Sequence, residues 1–132
     1  MRDPAVLIVD DEPLIRETVS ELLSSAGLAT LEATDGVEAL EMLNKSGHMV
    51  AVLLTDVRMP GGMNGIDLAR IAQRTWPWIQ VIVMSGFYDS GPEGLPGNAR
   101  FISKPWQPQD VINKVLHAAS EFAAVQTSAA LH

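Results

Sequence analysis

Two hydrophobic periods alternate along this chain, and that alternation restricts its fold more than any other feature. Ala5-Val-Leu-Ile-Val9 is a short unbroken apolar run, the pattern of a strand buried on both faces. Ile15, Val19, Leu22, Leu23 and Ala26 then recur at helical spacing, and Gly27 closes that helix. Leu28 to Ala33 reads as a second strand, less apolar and suited to a sheet edge. Asp35-Gly-Val-Glu38 has capping-box spacing and opens a second helix, with Val37, Leu40 and Leu43 inward and a stop near Gly47. Val50 to Thr55 is the third strand. Helix three spans about Gly65 to Thr75, carries Ile66, Leu68 and Ile71, and is ended by Pro77. Ile79 to Met84 and Arg100 to Ser103 supply two more strands. Gln107 to Ala124 forms the last helix, with Val111, Ile112, Val115, Leu116, Ala119, Phe122 and Ala123 in one wide stripe. Strands alternating with helices predict βαβ units. The expected fold is therefore α/β: one doubly wound, five-stranded parallel sheet with helices on both faces.

The 132 residues suit one compact domain, placed at residues 1–124, and residues 125–132 (VQTSAALH) are expected to fray. A hydrophobic content of 47% is enough for a real core. The absence of cysteine excludes a disulfide scaffold, thiolate zinc sites and cysteine catalysis, and suits a reducing cytoplasm. The N-terminal apolar stretch is too short and too acid-flanked for a signal peptide, and no run approaches membrane-spanning length. A net charge of -7 argues against direct binding to nucleic acid.

Ligands of such sheets bind beyond the carboxyl ends of the strands. The first strand ends in Asp10-Asp11-Glu12, the third in Asp56, the fourth in Met84-Ser85-Gly86, and the fifth leads into Ser103-Lys104-Pro105. In a parallel sheet these sets share one rim. Carboxylates at close range repel one another, which raises pKa or recruits a cation. Clustered oxygen ligands favour a hard divalent ion such as Mg²⁺, and a hydroxyl with an ammonium completes a cradle for a tetrahedral anion. The rim thus reads as a phosphoryl site with one carboxylate as nucleophile. Taken singly, the residues admit plainer roles. Asp10 to Glu12 would favour a helix N-terminus, Ser85 would permit a tight turn before Gly86, and Lys104 would be a solvated surface lysine.

The motifs VDDE, TDVRMP, MSGF and SKPW, in this order and spacing, resemble the receiver domain of two-component response regulators over roughly residues 5 to 122. That resemblance implies a flavodoxin-like fold and a bacterial phosphorelay switch. By it, Asp56 accepts a phosphoryl group from a histidine kinase or a histidine phosphotransfer protein. Asp11 is the principal Mg²⁺ ligand, Asp10 holds metal waters, Asp56 adds an oxygen, and the backbone carbonyl of Arg58 adds another; Mn²⁺ is the expected substitute ion. Ser85 takes the Ser/Thr switch position, Lys104 pairs with the phosphoryl charge, and Phe101 takes the aromatic switch position. Phosphorylation then changes binding to a downstream protein whose identity the sequence does not contain. The domain catalyses only its own phosphorylation and dephosphorylation.

Two stretches depart from the family pattern. The loop Met59-Pro-Gly-Gly-Met-Asn-Gly65 carries one residue more than the commonest family spacing and is similar to loops of receivers attached to hybrid histidine kinases. In YDSGPEGLPGNA, residues 88–99, each proline would cost a helix interior about 3 kcal/mol, so the family's fourth helix is expected to be short or absent. Other readings are a receiver excised from a hybrid kinase or larger regulator, a pseudo-receiver that never takes phosphate, and a phosphohydrolase of the haloacid-dehalogenase type. The last typically needs a D-x-D motif after the first strand, where this chain has Val9-Asp10-Asp11-Glu12-Pro13. Trp76, Trp78 and Trp106 read as packing or surface residues, and His48, His117 and His132 lack metal-ligand spacing.

Overall fold

A computed structural model describes residues 4–59, 62–85, 99–104 and 106–130, with side chains described as far as 122. The strands are β1 (Ala5–Val9), β2 (Ala29–Ala33), β3 (Val50–Asp56), β4 (Gln80–Ser85) and β5 (Arg100–Ser103). The helices are α1 (Pro13–Ser25), α2 (Gly36–Ser46), α3 (Gly65–Thr75) and α4 (Pro108–Ala130), with a short 3₁₀ turn at Gly47–Met49 before β3. All strand pairs are parallel and the order across the sheet is β2-β1-β3-β4-β5. The expected five-stranded parallel sheet is thus present, and β2 is an edge strand as its mixed composition suggested.

Both faces of the sheet are covered. Alternate residues along each strand point to opposite sides. Leu7, Val9, Leu53, Val81 and Val83 pack with Ala39 and Leu43 of α2 and Leu68, Ala69 and Ala72 of α3. Val6, Ile8, Val52, Leu54, Ile82 and Met84 pack with Val19 and Leu23 of α1 and Val111, Val115, Ala118 and Phe122 of α4. Every residue of β1 and β3 is buried, which explains why these strands read as unbroken apolar runs.

Three local expectations are corrected. Val37 was expected to face the core, yet it is 52% exposed; the inward face of α2 is carried by Gly36, Ala39 and Leu43, with Leu40 at its margin. Leu116 was expected in the buried stripe of α4 but is 41% exposed, because Val111, Val115, Ala118 and Phe122 form a narrower stripe. Asp35 does cap α2 by accepting the Glu38 N–H at 2.8 Å, but the Glu38 carboxylate reaches back to the N–H and hydroxyl of Thr34 rather than to Asp35. The reciprocal capping box occurs instead at α3, between Asn64 and Asp67.

The last helix runs to Ala130, beyond the expected end at Ala124, in a stretch without proline or glycine. The expectation of a short or absent fourth helix falls mostly on residues 86–98, outside the described residues.

Candidate functional site: the acidic rim of the sheet

The site begins with where the strands stop. β1 and β3 are neighbours in register, Val9 opposite Thr55, so the residues that follow, Asp10 and Asp56, emerge side by side. Asp56 pairs in register with Met84 of β4, and the Val57 N–H donates to the Met84 carbonyl at 3.1 Å, carrying the ladder one step past the strand. On the far side, Ser85 pairs with Ser103, and the Lys104 N–H donates to the Ser85 carbonyl at 2.9 Å. Backbone hydrogen bonds alone therefore bring the ends of β1, β3, β4 and β5 to one edge.

Carboxylate oxygens of Asp10, Asp11 and Asp56 lie within 4.8 Å of one another. Asp10 is fully buried, Asp56 is nearly so, and Asp11 is exposed at the mouth. Lys104 reaches over them from β5, with Nζ 3.3 Å from Asp56 Oδ2 and 3.7 Å from Asp10 Oδ2. Asp10 Oδ1 accepts the Glu12 N–H at 2.9 Å. Asp10 Oδ2 has no hydrogen-bond donor among the described residues, an exposed cost in a buried oxygen that a cation would remove. Burial raises the Asp10 pKa above the usual carboxylate range; the Glu12 N–H and then Lys104 oppose this, while Asp56 and Asp11 add to it. Three hard oxygen donors, one of them orphaned, fit a hard divalent cation.

The backbone around Asp56 is fixed tightly. The Thr55 hydroxyl donates to the Asp56 carbonyl at 2.9 Å. The Gly65 N–H, at the start of α3, donates to the Val57 carbonyl at 2.8 Å. A Cβ on Gly65 would fall 2.0 Å from the Asp56 carbonyl oxygen, so only glycine fits where α3 meets the end of β3. The glycine-rich loop after Asp56 is therefore anchored at its far end.

Of the residues singled out in the sequence, Asp10, Asp11, Asp56 and Lys104 converge directly. Ser85 is buried at the end of β4, beside the cluster in the sheet. Arg58 is exposed in the first residues after β3. Phe101 is half-buried opposite Val83, two residues down the strand from the rim, and stands apart from the acids. Sequence reasoning passed over Arg16, whose Nη1 donates to the Asp10 carbonyl at 2.9 Å. The only signal was an arginine one turn into a helix that follows three acids.

An acid cluster and a lysine thus share the carboxyl rim of a five-stranded parallel sheet in a protein of the α/β class. The chain belongs to the response regulator receiver domain family, whose family model matches residues 6–116. It is 36% identical over 113 residues to the sensor kinase CckA of Brucella abortus (strain 2308), covering 83% of this chain and 12% of that protein. It is 30% identical over 113 residues to the response regulator receiver protein CpdR of the same organism, covering 83% of this chain and 92% of that one. The structure of a two component transcriptional regulator AraC from Clostridium phytofermentans ISDg superposes with a TM-score of 0.81 at 31% identity, covering 96% of this chain and 99% of that chain. This protein is thus a receiver domain of two-component signalling, a signalling domain rather than a classical enzyme. Among the described residues, no helix is long and apolar enough to cross a membrane.

Proposed function

We propose that Asp56 is the phosphoacceptor of a cytoplasmic phosphorelay and that the domain is a switch read by partner proteins. One observation carries this reading: the Asp10, Asp11 and Asp56 oxygens converge within 4.8 Å, with the Lys104 ammonium 3.3 Å from Asp56. A carboxylate oxygen of Asp56 attacks the phosphorus of a phosphohistidine on a histidine kinase or phosphotransfer protein. The new O–P bond forms as the P–N bond breaks, and its electron pair leaves with the imidazole nitrogen. Asp56 is suited to this because the strand, the Thr55 hydroxyl and the glycine contact hold its backbone still. Water attack on the acyl phosphate later restores the carboxylate.

Asp11, Asp10 and Asp56, with the Arg58 carbonyl, would hold Mg²⁺, or Mn²⁺ in its place. Bound there, the ion would supply positive charge to offset the charge gathering on the phosphoryl oxygens. Lys104 pairs with one of those oxygens as a point charge. Ser85 donates its hydroxyl to another, and Phe101 shifts in response, so that a local charge is read on the β4–β5 side of the sheet. Relatives include a sensor kinase of which this chain spans 12% and a receiver protein of which it spans 92%, so both a piece of a larger protein and a free-standing receiver have precedent.

Incubation with acetyl phosphate and Mg²⁺, read by intact mass, tests the assignment. The wild type gains about 80 Da, the mass of HPO₃ on an activated carboxylate, and Asp56→Asn gains nothing. Unchanged mass in the wild type, or an equal gain in the variant, overturns it.

A further inference from the structure

We infer that Arg16, held by Glu32, is a positioning residue that sets the aim of the two neighbouring acids Asp10 and Asp11. The inference rests on the reading of these acids as divalent-cation ligands, and Arg16 itself touches neither carboxylate in that role.

The geometry is specific. Arg16 lies in the first turn of α1 and its side chain is largely buried. Its Nη1 donates to the Asp10 main-chain carbonyl at 2.9 Å, while its Nε stands 3.3 Å from Glu32 Oε1 on the edge strand β2. The guanidinium is planar and presents its donors at fixed angles, so one side chain spans both partners without rotational slack. Glu32 is available for this because it lies opposite Ile8 in the β1–β2 register, just below the rim.

The carbonyl that Arg16 grips belongs to the same planar peptide unit as the Asp11 N–H. Fixing that oxygen fixes the plane from which the Asp11 side chain departs. The Asp10 N–H is already bound to the Ala33 carbonyl at 3.2 Å, and Asp10 Oδ1 to the Glu12 N–H. Arg16 therefore adds a direct restraint on the Asp10–Asp11 peptide through its carbonyl oxygen. Without it that peptide is held, among the described residues, by the Glu12 N–H contact across Asp10 ψ and Asp11 φ, and an exposed carboxylate amplifies small residual rotations into displacement of its oxygens.

Positioning and electrostatics predict opposite signs here. Removing a cation near three carboxylates should by itself tighten divalent binding. Releasing a positioning contact should weaken it, about tenfold by analogy with outer-shell partners of metal ligands. Isothermal calorimetry with Mg²⁺ on Arg16→Met and Arg16→Lys decides between them, since the first removes the charge and the second keeps it while losing the planar fork. The expected result is weaker binding in both, by about tenfold in Arg16→Met and less in Arg16→Lys. In metal-free protein, the Asp11 amide resonance should shift or broaden in Arg16→Met more than amides elsewhere in α1. Unchanged or tighter Mg²⁺ binding in folded variants overturns the inference. If Arg16→Met does not fold, Arg16→Lys, which leaves the local charge unchanged, carries the test with the same expected sign. If the wild type takes up no Mg²⁺, the cation reading fails separately; an Asp11 amide with wild-type position and linewidth in the variants then overturns the positioning role as well.

Discussion

The Lys104 ammonium stands 3.3 Å from Oδ2 of Asp56, although Asp56 ends β3, Lys104 follows β5, and β4 lies between those strands. It is also 3.7 Å from the buried Asp10, so one amine faces two acids of a three-acid cluster. This amine partly neutralises the cluster, and if Asp56 takes a phosphoryl group as proposed, the same charge would have a phosphoryl oxygen to meet.

Replacing that amine separates the two roles. Lys104→Met removes a cation that competes with a divalent ion for the same carboxylates. Mg²⁺ should therefore bind about fivefold tighter, since roughly 1 kcal/mol is the scale of a charge pair at 4 Å in a well-solvated site. Phosphoryl uptake from acetyl phosphate should slow by about tenfold, because the incoming oxygens lose a charge-assisted partner. Calorimetry and time-resolved intact mass measure the two effects. Weaker Mg²⁺ binding would show that Lys104 mainly holds the rim together.

Asp10 should cost stability in metal-free protein. Its folded pKa is raised, chiefly by burial, so ionisation is easier in the unfolded chain. Below about pH 4 both states hold the proton and there is no penalty. As pH rises from there through the raised folded pKa, stability falls, and above it the full penalty persists. Asp10→Asn keeps an oxygen for the Glu12 N–H and adds a donor that can face Asp56. In EDTA at pH 7 it should be more stable by ~1–2 kcal/mol, the scale of an unsatisfied buried group, and the loss of stability with rising pH should shrink. Urea denaturation across pH 4 to 8 checks both. With Mg²⁺ at a hundredfold its Kd the wild type gains about 2.7 kcal/mol by mass action, and the order of stabilities should reverse.

How much of this could be read in advance follows from what each feature depends on. The central strands β1, β3 and β4 were legible because parallel strands buried on both faces leave continuous apolar runs such as AVLIV. Asp10, Asp11, Asp56 and Lys104 were legible because each directly follows or ends a strand, and parallel order sends all those ends to one rim. Val37 and Leu116 were misassigned because helical spacing gives a stripe but not its width, and a partner surface decides which margin is covered. Arg16 was invisible because a cation on an amphipathic helix looks solvated until the fold brings Glu32 and the Asp10 carbonyl beside it. The steric demand at Gly65 depends on how closely α3 approaches β3, which no local pattern records.

That approach supports a last prediction, in which two glycines of one loop respond differently to the same substitution. Gly62 has φ +84°, and among the described residues nothing lies within 4 Å of the position its Cβ would take. Gly62→Ala should therefore cost only the left-handed backbone, about 1 kcal/mol, and leave the acid cluster alone. At Gly65 the obstacle is backbone: a Cβ would meet the Asp56 carbonyl oxygen at 2.0 Å and its carbon at 2.8 Å. Neither can swing aside as a side-chain tip would. The start of α3 must lift from the end of β3, straining the Gly65 N–H bond to Val57 and turning the Asp56 peptide. Gly65→Ala should lose about 3 kcal/mol of stability, the upper range for overpacking, and should bind Mg²⁺ several-fold more weakly. Urea denaturation and calorimetry on both variants test the contrast. Equal stability losses, or intact Mg²⁺ binding in Gly65→Ala, would show that the contact between α3 and β3 yields more readily than its geometry implies.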